Sequence, residues 1–352
     1  MNVEKLQHKL AEAGLDAIVL FSPVSIRYLS GFHITDGAAV VTANSARMFT
    51  DSRYFEAACA QADELEVVLF DREHRLSDLL RDALSGCAAV GAEEGSLSHG
   101  DWQFWEEKLG VQLVSAGNLL QELRAVKTPW ELENIIAAQR IAEKALEEAL
   151  PLIRPGMSER TLAAELTYRM LLHGGEGNSF DPIAITGKKT SMPHGVPGDD
   201  VIAAGDFVTM DFGCIKNGYC SDMTRTVAVG YATDEMRAVY DTVLRAQEAG
   251  IAAARAGATG ADVHNAGAAV IEAAGWGAYF GHGFGHGVGL EIHERPSASP
   301  ANTKALSAGA VITAEPGIYL PGKFGVRIED MLALTEEGCQ NLTNAPKELM
   351  IL

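Results

Sequence analysis

The chain has 352 residues, of which 47% are apolar, and its formal net charge is −19. This length favours two domains, and the apolar fraction is sufficient for a large buried core. The negative charge argues against a nucleic-acid partner, and no apolar run reaches the roughly eighteen residues that would predict a membrane span. The five cysteines are scattered without a CxxC pair, which favours a reducing cytoplasm over a disulfide framework.

The first third of the chain alternates strand and helix patterns. Residues 1–14 predict an amphipathic helix and lack the apolar stretch of a signal peptide. The patterns that follow predict strands at 15–23, 26–29, 66–70 and 88–92, a hairpin around Asn44-Ser45, and helices at 54–65 and 76–84. Together they predict a small mixed α/β domain. Because it has no dense cluster of ligand-type residues, we interpret it as a scaffold or as a wall of the substrate path.

The composition changes near Leu123, where we place the boundary between a domain of residues 1–122 and one of residues 123–352. A helix is predicted to begin at Thr128-Pro129, because threonine caps helices and proline suits the first helical position. Further helices are predicted at 158–172, 234–256 and 262–274, and strands at 183–186, 207–214, 220–229, 310–316 and 325–333. Helices segregated from mostly antiparallel hairpins indicate an α+β domain.

A glycine-rich stretch, GHGFGHGVGLEIHE at residues 281–294, holds His282, His286 and His293. Imidazole is a metal ligand and a proton carrier near neutral pH. Glycines let the backbone approach a ligand closely. Ordering so many glycines costs chain entropy, which argues against a purely structural origin of the segment. The stretch therefore predicts a functional site and directs attention to further ligands elsewhere in the chain.

Two predicted hairpins carry paired carboxylates. With a two-residue turn at Asn217-Gly218, Asp211 pairs with Thr224 and shares a face with Asp222, whereas a three-residue turn would separate the two aspartates. That face is either solvated or holds a metal, and the apolar residues of both strands favour the second alternative, since buried charge must be compensated. The strand residues in question are Phe207, Met210, Phe212, Met223 and Val227.

The second hairpin places Glu315 and Glu329 symmetrically about Gly322, so an odd-numbered loop sets them opposite each other. Like charges opposite each other repel unless a cation lies between them. Arg327 projects to the same face, and its role stays open between a cross-strand salt bridge and a contact with substrate. With Asp211, Asp222 and His286, the set carries four negative charges, which two divalent cations balance. Such oxygen-rich ligation with one imidazole suits Mn, Co, Fe or Zn.

The segments MDFG, SDMTRT, GHGFGHGVGLEIHE, AEPGIY and VRIEDM resemble, in order, the five-ligand signature of the pita-bread metallopeptidases. These comprise prolidases and Xaa-Pro aminopeptidases, with methionine aminopeptidases and creatinases as relatives. The match covers about residues 123–352, and LSGFHITDGAAVV with FTDSRYFEAA resembles the creatinase-type N-terminal domain. The resemblance implies a pita-bread catalytic domain preceded by a smaller mixed α/β creatinase-like domain.

The resemblance also implies individual roles. Asp211 would bind one ion, His286 and Glu315 the other, and the two remaining carboxylates, Asp222 and Glu329, would bridge both. Glu315 would also be the general base. The family's other active-site positions are matched by His194, His282, His293, Tyr319 and Arg327. Among these, His194 and His293 would contact substrate and the tetrahedral intermediate, Arg327 would assist catalysis, and His282 and Tyr319 would line the substrate pocket.

The implied activity is hydrolysis of X-Pro bonds by a water that bridges two divalent ions. Mn or Co is the expected metal, ahead of Zn or Fe. The substrates would be peptides with proline in second position. Some prolidases carry an arginine after the proline of a His-Glu-x-Pro motif, whereas here Ser297 follows Pro296 and Arg295 precedes it. The choice between dipeptidase and aminopeptidase therefore stays open, and Met192 is a further candidate for shaping the proline pocket.

Three alternatives are weaker. A methionine aminopeptidase would lack the N-terminal domain, a creatinase would not keep the full ligand set, and a non-catalytic peptide-binding module would lose ligands. The resemblance further implies a homodimer in which the N-terminal domain closes the active-site cleft of its own or its partner's catalytic domain.

Overall fold

The computed structural model describes residues 2–62 and 64–352. A boundary between two compact units falls between Arg124 and Ala125, and each unit has its own hydrophobic core. The helices predicted at residues 1–14 and 54–65 include Met1 and Asp63, which lie outside the described residues. Among the residues that are described, no helix has the length and apolarity needed to cross a membrane.

The N-terminal unit is built on one six-stranded mixed sheet with strand order β4-β3-β2-β1-β5-β6. Its strands are β1 (Ala17–Leu20), β2 (Gly37–Thr42), β3 (Ala46–Thr50), β4 (Glu66–Leu69), β5 (Val90–Ala92) and β6 (Leu113–Ser115). Its helices are α1 (Asn2–Ala13), α2 (Pro23–Ser30), α3 (Phe55–Gln61), α4 (Leu76–Ala83), α5 (His99–Leu109) and α6 (Gly117–Ala125). The mixed α/β character predicted for this unit is confirmed.

The strand predicted at residues 26–29 is wrong, because these residues belong to α2. Ser22 caps that helix by accepting a hydrogen bond from the Ser25 amide, and Pro23 occupies the first turn. Ser-Pro therefore begins a helix here, whereas the sequence pattern was consistent with the end of a strand.

The C-terminal unit combines four helices with antiparallel ladders. The helices are α7 (Pro129–Ala149), α8 (Glu159–Leu172), α9 (Asp234–Ala253) and α10 (Gly260–Ala273). The strands are β7 (Ile183–Thr186), β8 (Phe207–Phe212), β9 (Ile215–Lys216), β10 (Tyr219–Cys220), β11 (Met223–Ala228), β12 (Gly285–Gly287), β13 (Glu294–Ala298), β14 (Val311–Ala314), β15 (Gly317–Leu320), β16 (Phe324–Arg327), β17 (Asp330–Leu334) and β18 (Cys339–Asn341). They form sheets β11-β8-β7 and β13-β12-β14-β17-β18 and the pairs β9-β10 and β15-β16. The predicted α+β class is confirmed.

Both predicted hairpins have the expected register. Asp211 pairs with Thr224 across β8 and β11, and the turn residues Asn217 and Gly218 both have positive φ, as a type I′ turn requires. In the second hairpin, β14 pairs with β17 and β15 pairs with β16 in one continuous register, so Glu315 and Glu329 lie opposite each other between the two ladders.

The long strands predicted at 220–229, 310–316 and 325–333 are each interrupted, which corrects the prediction of continuous strands. The interruptions fall at Asp222, Glu315 and Glu329 respectively. The ladder is thus broken at three of the four candidate carboxylate ligands, while Asp211 lies within β8.

Candidate metal centre

Four carboxylates and one imidazole converge in the C-terminal unit. Asp211, Asp222 and Glu329 are buried, with exposed fractions of 9%, 4% and 1%. His286 lies on β12, and its Nε2 is 3.4 Å from Asp222 Oδ2 and 3.3 Å from Glu315 Oε1. These distances place Asp222, Glu315 and His286 in one site, and the charge of Asp211 acts on the carboxyl groups of Asp222, Glu315 and Glu329.

The orientation of the His286 ring is set by its backbone. Nδ1 lies 3.2 Å from the Gly287 carbonyl, which accepts only if Nδ1 carries the proton. Burial lowers the pKa of His286, so the neutral ring presents its Nε2 lone pair to the carboxylates. The preceding Gly285 permits this close approach, since a Cβ there would be 2.0 Å from the Thr313 carbonyl oxygen.

The site is electrostatically unbalanced. Burial raises the pKa of Asp222 well above its ordinary value, and the charges of Glu329, Asp211 and Glu315 raise it further. Burial and the neighbouring carboxylates raise the pKa of Glu329 in the same way. Burial raises the pKa of Glu315 to about 7, against the opposing effect of Arg327. The carboxylates thus lack the positive charge that would keep all of them ionised at neutral pH.

The donor set fits divalent cations. Asp211 Oδ1 and Asp222 Oδ1 are buried without a hydrogen-bond partner among the described residues, although buried carboxylate oxygens normally have one. One ligand atom each from Asp222, His286 and Glu329 lies within 4.8 Å of the others. Oxygen ligands with one imidazole nitrogen suit a divalent transition metal.

Two threonines that sequence reasoning missed hold the glutamates. Thr224 Oγ1 donates to Glu329 Oε2 at 2.6 Å, and Thr313 Oγ1 donates to Glu315 Oε1 at 3.1 Å. The Thr313 hydroxyl also accepts from the His286 amide at 3.0 Å. Strand alternation could have identified both threonines from the sequence. Thr224 is two residues from Asp222 and Thr313 is two residues from Glu315, and residues two apart in a strand lie on the same face.

A hydrogen-bonded chain leads away from the carboxylates. Arg327 donates through Nη2 to Asp211 Oδ2 at 2.5 Å and through Nη1 to the Tyr319 hydroxyl at 3.0 Å. Tyr319 in turn lies 3.0 Å from His282 Nε2. Burial lowers the pKa of His282 to about 4, and its Nδ1 lies 2.7 Å from the Gly283 carbonyl, so the neutral ring is protonated at Nδ1 and accepts a hydrogen bond from Tyr319 at Nε2. Arg327 therefore makes a salt bridge to Asp211, one of the two roles that the sequence left open, and also orients two pocket residues.

The remaining predicted residues lie at the exposed side of this centre. The ring of His293 is 4.3 Å from that of His286, centroid to centroid, and burial of the ring lowers the pKa of His293. His194 is exposed and adjoins Pro193, whose carbonyl accepts from Arg327 Nη1 at 3.3 Å. Met192 is also exposed in the same segment. The contacts thus connect His293 with His286 and the segment 192–194 with Arg327.

Comparison with known proteins gives consistent matches in both units. Residues 133–336 match Metallopeptidase family M24, and residues 2–126 match the Creatinase/Prolidase N-terminal domain. A solved Xaa-Pro dipeptidase from Bacillus anthracis is 39% identical, with a TM-score of 0.96 over 100% of this chain and 99% of that one. A solved X-Pro aminopeptidase from Thermotoga maritima is 35% identical, with a TM-score of 0.91 over 96% and 98%.

Among curated proteins, the Xaa-Pro dipeptidase of Pyrococcus furiosus is 36% identical over 99% of this chain and 99% of its own length. Similarity therefore extends over both units. These matches confirm the creatinase-type and pita-bread folds that the sequence motifs led us to expect.

Proposed function

The chain belongs to metallopeptidase family M24, and on that basis we propose that it is a dinuclear exopeptidase that hydrolyses X-Pro peptide bonds. The observation that carries the proposal is the convergence of four carboxylates with His286, including two buried carboxylate oxygens without a partner among the described residues. Relatives named Xaa-Pro dipeptidase and X-Pro aminopeptidase support the choice of bond.

Asp211 would hold one ion, His286 and Glu315 would hold the other, and Asp222 and Glu329 would contribute to both. The ions, when bound, supply Lewis-acid activation of water for hydrolysis, and Mn or Co suits this donor set as Zn or Fe also does. The assignment is supported by the way two β-ribbons bring these side chains together.

The chain's own residues handle protons and developing charge. Glu315 takes the proton of the attacking water and returns it to the leaving amine. His194, His293 and Arg327 stabilise the negative charge that develops on the scissile carbonyl oxygen. The neutral His282 and the Tyr319 hydroxyl that bonds to it form a wall of the substrate pocket.

The alternatives have less support. The match of residues 2–126 to a creatinase-type domain disfavours a methionine aminopeptidase, and the complete ligand set disfavours a non-catalytic binding module. Arg295 is exposed and precedes the proline of its motif, so it favours neither dipeptidase nor aminopeptidase activity.

A cleavage panel tests the proposal. X-Pro dipeptides, X-Pro tripeptides and longer peptides with proline second are incubated with protein loaded with Mn²⁺ or Co²⁺, and matched X-Ala peptides serve as controls. We expect release of the first residue from the proline peptides. Elemental analysis of the same sample establishes its metal content. Absence of cleavage by protein shown to hold metal would overturn the proposal.

We further propose a cytoplasmic homodimer with an N-terminal domain that ends near residue 122. The unpaired, scattered cysteines support the compartment, and the family resemblance supports the dimer. Sedimentation equilibrium would contradict the dimer if the chain stayed monomeric at all concentrations.

A further inference from the structure

A buried ion pair joins the start of the C-terminal unit to the segment that carries His293. Lys127 Nζ lies 2.5 Å from Glu294 Oε1, and the two side chains are 2% and 6% exposed. The residues are 167 positions apart in sequence. Neither of them was predicted from sequence as a site residue, and neither belongs to the proposed ligand set.

Lys127 is held rigidly on its own side. Its amide donates to the Gly309 carbonyl at 2.9 Å, and Val126 forms a β-bridge with Ala310. The next residue, Thr128, caps α7 in a reciprocal capping box with Glu131. The ammonium group is therefore presented from a fixed backbone.

Glu294 is held equally closely on the other side. Its backbone pairs with Gly287, the residue after His286, in the β12–β13 ladder. Its carboxylate packs on Gly289, where a Cβ would come within 2.2 Å of Oε1. Glu294 is thus confined between Lys127 and the glycine-rich segment that carries the histidines.

The pair has a direct consequence for His293. His293 directly precedes Glu294, the first residue of β13, so a carboxylate fixed on Lys127 holds the backbone from which the His293 side chain projects toward the metal centre. There the His293 ring makes its edge contact with His286. Loss of the ammonium group leaves a buried carboxylate uncompensated, which favours its movement toward water and displaces His293 with it.

We propose that Lys127 is a positioning residue that acts through Glu294 to orient His293. The assignment rests on the proposed peptidase function, because orientation of His293 matters only if that ring meets the substrate. In Lys127→Met the side chain keeps its length and loses its charge, whereas Lys127→Arg keeps the charge.

The test is a double-mutant cycle in activity together with a spectroscopic readout. We expect Lys127→Met to lower kcat/KM by about ten-fold at unchanged metal content, with the fall mainly in kcat, as for partners that orient site residues. Lys127→Arg should recover most of that loss. In a His293→Ala background, Lys127→Met should have no further effect. Arg140→Met, which removes a cation bonded to Glu143 and the Leu342 carbonyl, should leave kcat/KM unchanged in either background.

Histidine labelled with ¹³C at Cε1 gives the readout that does not depend on activity. In the metal-free full-length chain, the His293 resonance, identified by its loss in His293→Ala, should shift in Lys127→Met and remain in place in Arg140→Met. Equal losses of kcat/KM with and without His293, or an unmoved resonance, would overturn the proposal. If the wild-type chain cleaves no X-Pro peptide, the proposed function fails, while the resonance still reports on the positioning.

Discussion

The hydroxyl of Thr224 lies 2.6 Å from Glu329 Oε2 and 3.0 Å from Arg327 Nε. It donates to the carboxylate and accepts from the guanidinium, so one fully buried side chain orients two groups of the site. The Glu329 amide donates to the Thr224 carbonyl at 3.2 Å, and Arg327 bonds to Asp211, which lies directly opposite Thr224 in the β8–β11 ladder.

Thr224→Val removes this hydroxyl and keeps the shape of the side chain. We expect metal affinity to fall by about 10–100-fold, the usual cost of losing a partner that orients a ligand, and Thr224→Ser to retain most of it. Isothermal titration of the metal-free protein with Mn²⁺ measures the change. Thr209→Val is the matched control, since Thr209 is buried in β8 and bonds to Thr226 at 3.1 Å. A similar loss in both valine variants would contradict a specific role for Thr224.

Glu315 should make the metal-free protein less stable as the pH rises. Its folded-state pKa is about 7 against an ordinary value of 4.5, so between these values the folded state binds more protons than the unfolded state. This carboxyl therefore lowers the free energy of unfolding by about 1.4 kcal/mol for each pH unit in that range.

Burial lowers the pKa values of His282 and His286, which makes the folded state more stable as the pH rises and so opposes the effect of Glu315. The contribution of Glu315 is therefore measured as the difference in stability between the wild type and Glu315→Gln. We expect the variant to gain stability relative to the wild type from pH 5 to pH 8, measured by urea unfolding after metal removal. Added Mn²⁺ should reduce the effect, because a cation favours the ionised carboxylate. A pH-independent difference in the metal-free proteins would be inconsistent with the raised pKa.

Gly267 on α10 lies directly against the buried ring of Phe284, which stands between two histidines of the glycine-rich segment. A Cβ at Gly267 would be 2.2 Å from that ring. Gly267→Ala gains about 1 kcal/mol of helix propensity, but overpacking of a rigid ring costs about 1–3 kcal/mol. We expect a net loss of stability in urea unfolding and lower activity. Gly100→Ala on α5 meets only Ser98 Oγ at 3.8 Å and should cost nothing.

The fully buried ion pair of Arg225 and Asp330 holds the backbone at Glu329. Arg225 Nη2 donates to Asp330 Oδ1 at 2.8 Å, and Nη1 donates to the Glu329 carbonyl at 2.6 Å. Removal of one partner of such a pair costs about 3–5 kcal/mol, so we expect Asp330→Asn to lower the free energy of unfolding by that amount.

Lys323→Met provides the comparison, because Lys323 and Glu235 are 59% and 43% exposed and such a pair contributes about 0–1 kcal/mol. Urea denaturation measures both variants. Comparable losses for Asp330→Asn and Lys323→Met would show that burial of the Arg225 pair has little energetic effect.

The ligand geometry was predictable because parity in a hairpin depends only on residue spacing and turn length. The turn at Asn217-Gly218 and the symmetry of Glu315 and Glu329 about Gly322 both appear in the sequence, and the registers agree with them. The helix at Pro23–Ser30 was missed because a short apolar run with serine and proline suits both a strand end and a helix start. Lys127 and Glu294 were missed because their contact depends on tertiary packing, which no local pattern contains.

The shared register of the β14–β17 and β15–β16 ladders restricts how this chain can change in length. Insertion or deletion of one residue in the three-residue turn 321–323 would slide Glu329 past Glu315 and reverse the faces of the strand that follows. Homologues that bind the same ions should therefore keep thirteen residues between the two glutamates and place their length differences in other loops.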